Sequence, residues 1–154
     1  MAVSKPSEEE WKALQGQLGF SDEEMTVFKA NPRNEHVLSL ARQQMNKSIV
    51  IEVVESRGCA SKHKVGDKFY FDGAGNLITK MCPGRVCYSA IASSSNLIFA
   101  AVEMFYAGVD ANNILFKRVG CPDVGAACGG WGHIVMELRV EDRNAKGRDG
   151  GGVQ

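Results

Sequence analysis

The sequence predicts an α+β fold: a small, mainly antiparallel sheet with one buried helix, preceded by an N-terminal helical extension. Three observations predict it. Apolar residues recur at helical spacing through the first 47 residues, the pattern turns β-branched from Ser48, and one apolar helical stretch, Asn96 to Tyr106, interrupts the strands. The expected organisation is a helical extension over 1–47, a cysteine-containing core over 48–142 and a disordered Gly-rich tail over 143–154.

Each element has a local signal. Ser7 to Glu10 reads as a capping box, followed by Trp11, Leu14 and Leu18 on one face and Gly19 as a stop. Ser21 to Glu24 repeats the device before Met25, Val27 and Phe28, and Asn31-Pro32 ends that helix. Asn34 is the expected cap of a third helix, with Val37, Leu38, Ala41 and Met45 as its apolar stripe. Ile49 to Glu55 and Lys68 to Asp72 read as strands. Gly73-Ala-Gly75 turns into an expected third strand, Asn76 to Thr79. Two more strands are expected at Ile114 to Val119 and His133 to Val140. Three short amphipathic helices bury little among themselves, so the extension is expected to pack on the rest of the chain, as a clasp that enlarges the core, or to dock on a protein partner or a second copy.

Composition excludes several classes. Eighteen Lys and Arg balance eighteen Asp and Glu, which leaves no net field for counterion-release binding to nucleic acid. The longest apolar run, Leu97 to Val102, is cut by Glu103, far short of the ~20 residues of a membrane span. The acidic N-terminal stretch lacks the apolar centre of an export signal, so a cytoplasmic location is expected.

The five cysteines, Cys59, Cys82, Cys87, Cys121 and Cys128, carry the chemistry. An odd number without an export signal argues against a disulfide framework. The bland alternative is five small buried hydrophobes.

Three pieces of the chain occur in order: Glu55-Ser-Arg-Gly-Cys59 with His63-Lys-Val-Gly-Asp67, then Met81-Cys82-Pro83, then Gly120-Cys121-Pro122-Asp123 ahead of Ile134 to Leu138. Together they resemble a family of small uncharacterised cysteine-containing proteins of anaerobic bacteria and archaea. The resemblance spans about Ser48 to Arg143 and leaves the extension unmatched. It implies a polar set of Cys59, His63, Gly66, Asp67, Cys82, Pro83, Cys121, Pro122 and Asp123, and no activity. This chain departs from the pattern at Lys62, where the family usually has Gly, and at the additional Cys87 and Cys128.

Two chemistries are writable on these loops. Thiolate and imidazole ligate zinc and cluster iron, so Cys59, His63, Cys82 and Cys121 form a candidate metal set. An iron–sulfur cluster on four of the five cysteines is equally writable, although no Cys-x2-Cys knuckle is present. The anaerobic distribution of the resembling family favours this metal or iron–sulfur reading, as a small subunit or accessory protein of an anaerobic enzyme system. The alternative is a stand-alone small-molecule enzyme, of lyase or redox type, with Cys59, Cys82 or Cys121 as nucleophile or acid/base; a structural assembly protein with inert cysteines is a third. Asp67 is expected to hold a turn, and Trp131, flanked by glycines, to plug the edge of the core, with Trp131 and His133 kept as pocket candidates.

Overall fold

A computed structural model describes residues 4–143; the expected tail beyond Arg143 lies outside the described residues. The chain divides into two compact units between Gln44 and Met45.

The first unit holds α1 (Glu8–Leu18), α2 (Asp22–Lys29) and most of α3 (Pro32–Met45). Both predicted capping boxes are formed, on Ser7/Glu10 and Ser21/Glu24, and Gly19 closes α1 in the left-handed conformation. Helix α3 begins three residues earlier than expected. Pro32 occupies its first turn, Asn31 accepts the Arg33 N–H, and Asn34 instead donates to the Phe28 carbonyl. The stripe on α3 is also displaced: Leu40 and Gln44 are buried, whereas Met45 is exposed. Trp11, Phe20 and Phe28 form an edge-to-face aromatic group within this unit.

The second unit is a four-stranded antiparallel sheet in the order β2-β1-β4-β3, built from β1 (Lys47–Arg57), β2 (Lys68–Asp72), β3 (Arg118–Gly120) and β4 (His133–Asp142). Alternation sets its inner face. Ile49, Ile51 and Val53 pair with Phe71, Phe69, Val140, Leu138 and Met136 on the neighbouring strands. These side chains cluster with Ala90, Ile98 and Ala101 of α4 (Tyr88–Tyr106), which forms the core.

Two expectations change here. The Asn76–Thr79 strand is reduced to one bridge, Phe71 to Leu77, because the chain turns into a 3-10 segment at Thr79–Met81. The Ile114–Val119 strand shrinks to Arg118–Gly120, since Ala111–Asn113 is a 3-10 turn and Leu115 and Phe116 are exposed. Helix α4 starts at Tyr88, directly after the Cys82–Cys87 turn, where the sequence allows a turn leading into a helix, and it runs on through the expected stretch from Asn96. Within its serine run the hydroxyls of Ser93, Ser94 and Ser95 are satisfied by the helix's own carbonyls, those of Ser89, Ala90 and Ala92, so the run is accommodated without outside partners.

A bulge in β1 at Val53/Glu55 decides what faces the site. It shifts the pairing so that Ser56 lies opposite the buried Ile134, on the core side of the strand.

Candidate functional site

Two loops and one helix end surround a small cavity. The first loop joins β1 to β2. The Ser56 hydroxyl, re-aimed by the bulge, donates to the His63 carbonyl at 2.6 Å. Lys62 lies just before it at φ 61°, the single non-glycine residue with positive φ among the described residues. His63 is 4% exposed, edge-on to Phe69 at 5.1 Å. Its Nδ1 lies 3.3 Å from Asp67 Oδ2, and its Nε2 lies 3.3 Å from the Cys87 amide nitrogen. An amide can only donate, so Nε2 is the acceptor and Nδ1 carries the proton toward Asp67. Asp67 also receives the Lys64 N–H, which is the turn-holding role expected of it.

The second wall is the N-terminus of α4. Cys87 is its N-cap residue, with extended backbone (φ −78°, ψ 120°) and no close side-chain cap bond. Its thiol pKa is held below the ordinary value. The Ala90 N–H acts on the sulfur most strongly; Ser61 and Ser89 add to it, and together they outweigh partial burial.

The third wall joins β3 to β4. Asp123 collects three backbone donors, from Gly125 (3.0 Å), Trp131 (2.9 Å) and Gly132 (2.9 Å). Those N–H groups, Gly132 first, hold its carboxyl below the usual carboxylate range, with a further contribution from His133. Gly132 passes so close to Gly58 that a Cβ there would overlap the Gly58 carbonyl. His133 Nδ1 donates to the Asp123 carbonyl, and Cys121 Sγ lies 3.8 Å from the same nitrogen. Cys121 Sγ also accepts the Ile134 N–H at 3.4 Å.

The cavity between these walls measures about 160 Å³, and Cys59, Ser61, Cys87, Cys121, Asp123 and His133 contribute to its lining. Three of the five cysteines therefore share one space. Cys128 is exposed. Cys82 is not among the lining residues; its sulfur sits 3.4 Å from both the Tyr70 amide and the Ile78 carbonyl. His63 is turned to the Cys87 backbone, with both ring nitrogens engaged. Among the described residues, no three Cys, His, Asp or Glu side chains stand together as a metal cage. The expected plug is also corrected: Trp131 is 84% exposed, because its amide is pinned to Asp123 while its side chain points away from the core.

No family model, curated protein or solved structure matches the chain. The resemblance of its loops is thus carried by the motif residues alone. Those motifs point to Cys59, Cys121 and the His63–Asp67 pair, and also to Cys82, which lies off the cavity. They do not point to Cys87, whose signal lay in the start of the helix that follows it.

Among the described residues, no helix is long and apolar enough to cross a membrane.

Proposed function

We propose that this chain is a thiol-dependent redox enzyme, with Cys87 as nucleophile and Cys59 or Cys121 as the second thiol. The observation that carries the reading is the position of Cys87: at the N-terminus of α4, depressed in pKa, and on a cavity shared with two more thiols. The lining also suggests the substrate. No lysine or arginine contributes to it, and the Asp123 carboxylate is occupied by backbone donors. At about 160 Å³ the space is half the lower end of ordinary ligand pockets, ~300 Å³. It suits the reacting end of a small uncharged disulfide.

The chemistry balances as thiol–disulfide exchange. The Cys87 thiolate attacks one substrate sulfur, the substrate S–S bond breaks, and the departing thiolate takes a proton. The second cysteine, deprotonated, then attacks Cys87 Sγ in the mixed disulfide. A protein disulfide forms, the second substrate thiol leaves, and the substrate has gained two electrons. An external dithiol regenerates the enzyme.

The test uses reduced full-length protein and bis(2-hydroxyethyl) disulfide as the probe. The expected result is two protein thiols consumed per disulfide, with a bond from Cys87 to Cys59 or Cys121 found by peptide mass spectrometry. Cys87→Ser should slow the reaction by about 100-fold or more, and Cys128→Ser should leave it unchanged. Uniform, slow alkylation of all five cysteines would overturn the reading.

The three thiols on one cavity also favour a second reading, a zinc or iron–sulfur site in a small accessory subunit. Elemental analysis after anaerobic purification separates the two. Stoichiometric iron with acid-labile sulfide, or stoichiometric zinc lost on Cys87→Ser, would replace the enzyme reading. A metal-free protein with one fast thiol supports it.

A further inference from the structure

From the hydrogen-bonded chain Asp67–His63–Cys87, with the imidazole buried at its centre, we infer that His63 is a positioning residue for the Cys87 thiol, acting through the Cys87 backbone N–H. The inference rests on the assignment of Cys87 as the reactive thiol and names what sets its reactivity.

The first N–H groups of a helix have no partner within the helix, and the N-cap residue carries the turn that aims them. At α4 no side chain closes that turn by a cap bond. The Cys87 N–H is instead received by an imidazole from a different loop, 24 residues earlier in sequence. That imidazole is fixed from four directions. Asp67 accepts a hydrogen bond from its Nδ1–H, Phe69 packs edge-to-face on the ring, the Ser56 hydroxyl holds its carbonyl, and Lys62 is held at positive φ ahead of it. A side chain that only filled space would not need a tautomer. Here the tautomer follows from the two partners: Nδ1–H toward the carboxylate, Nε2 open to the amide.

The consequence falls on the sulfur. With its N–H anchored, Cys87 keeps an extended backbone at the start of α4, the position from which the Ala90 N–H acts on its sulfur. Without the anchor the first turn frays and the sulfur leaves that N–H, so the thiolate loses its stabilisation. The other ionisable groups nearby are Asp67 under the ring and Asp123, His133, Cys59 and Cys121 on the cavity. His63→Ala and His63→Gln leave all of them in place.

The experiment measures alkylation of each cysteine against pH, with Cys59 and Cys121 as internal references. In His63→Ala the Cys87 midpoint should rise by about one pH unit, roughly a tenfold loss of rate below the midpoint. Cys59 and Cys121 should keep their profiles. His63→Gln can present an amide oxygen near the place of Nε2 and should restore most of the wild-type profile. An unchanged Cys87 midpoint in folded His63→Ala, or equal shifts at all three cysteines, would overturn the positioning role. If His63→Ala does not fold, the wild-type ¹⁵N spectrum decides: a proton on Nδ1 of His63 supports the relay, and a proton on Nε2 overturns it. A wild-type protein in which Cys87 is not the fastest thiol would sink the nucleophile assignment instead, so the two failures are distinguishable.

Discussion

The two loops that wall the cavity differ in what their side chains add to backbone bonding. The loop from Gly58 to Asp67 is tied to β1 by the Gly66 N–H on the Val53 carbonyl and the Val53 N–H on the Asp67 carbonyl, and Ser56, His63 and Asp67 add side-chain hydrogen bonds between 2.6 and 3.3 Å. The loop from Cys121 to Gly132 is built on backbone. One carboxylate gathers three amides, and glycines allow the chain to approach itself and its neighbour. A wall made of side chains can be adjusted by substitution without losing its shape. A wall made of close backbone contacts cannot. The first is the place to tune the reactive thiol, and the second is the rigid counterpart against which it is held.

The largest expected effect breaks the rigid wall. A Cβ at Gly132 would meet the Gly58 carbonyl and the Arg57 carbonyl, which are main-chain atoms with no side chain to rotate away. Gly132→Ala should therefore destabilise the second unit by about 2–3 kcal/mol, the scale of forced overpacking. Denaturant unfolding measures it. An unchanged midpoint would mean that the two loops separate easily and that the wall is not rigid.

The next effect separates the two walls by pH. The N–H groups of Gly132, Gly125 and Trp131 lower the Asp123 pKa in the folded state. A carboxyl with a depressed folded pKa contributes stability that is complete above its unfolded value, ~3.9, and is lost as pH falls through the folded value. The wild-type protein should lose stability in that window below pH ~4. Asp123→Asn should be less stable at neutral pH and flatter across the same window, because no charge remains to be neutralised. Thermal unfolding followed between pH 2 and 6 checks both parts. Equal acid dependence in the two proteins would remove Asp123 as the holder of its loop.

How much of this was legible in the sequence follows from the range of the interactions. The capping boxes at Ser7 and Ser21 and the strands around Ile49 and Lys68 were readable because their determinants lie within a few residues. The cavity was not. All five cysteines were candidates and a helix after the Cys82–Cys87 turn was readable, but which thiols meet depends on how two loops and the start of α4 come together in space. The motif set favoured Cys82, which packs against β2, over Cys87, which lines the cavity. His63 and Asp67 were found by their motif, but the partner of the ring was not. A contact spanning 24 residues, made to a backbone amide, leaves no mark on residue type.

The smallest effect sharpens the claim that the first wall is adjustable. Lys62 sits at φ 61°, and no other side-chain-bearing residue among those described takes a positive φ. An L-residue in the left-handed region costs about 1–2 kcal/mol relative to ordinary backbone, while glycine adds entropy to the unfolded chain at roughly 0.4–1 kcal/mol. The difference favours Lys62→Gly by about 0.5–1 kcal/mol. The Lys62 side chain is exposed and does not line the cavity, so nothing in the site is lost with it. The variant should unfold at higher denaturant while the Cys87 alkylation profile stays where it was. A gain in stability with an unmoved thiol would show that strain in this loop is separable from the placement of His63. A thiol midpoint that rises with the substitution would show the reverse: that the strained lysine backbone is part of what presses the imidazole against the Cys87 amide.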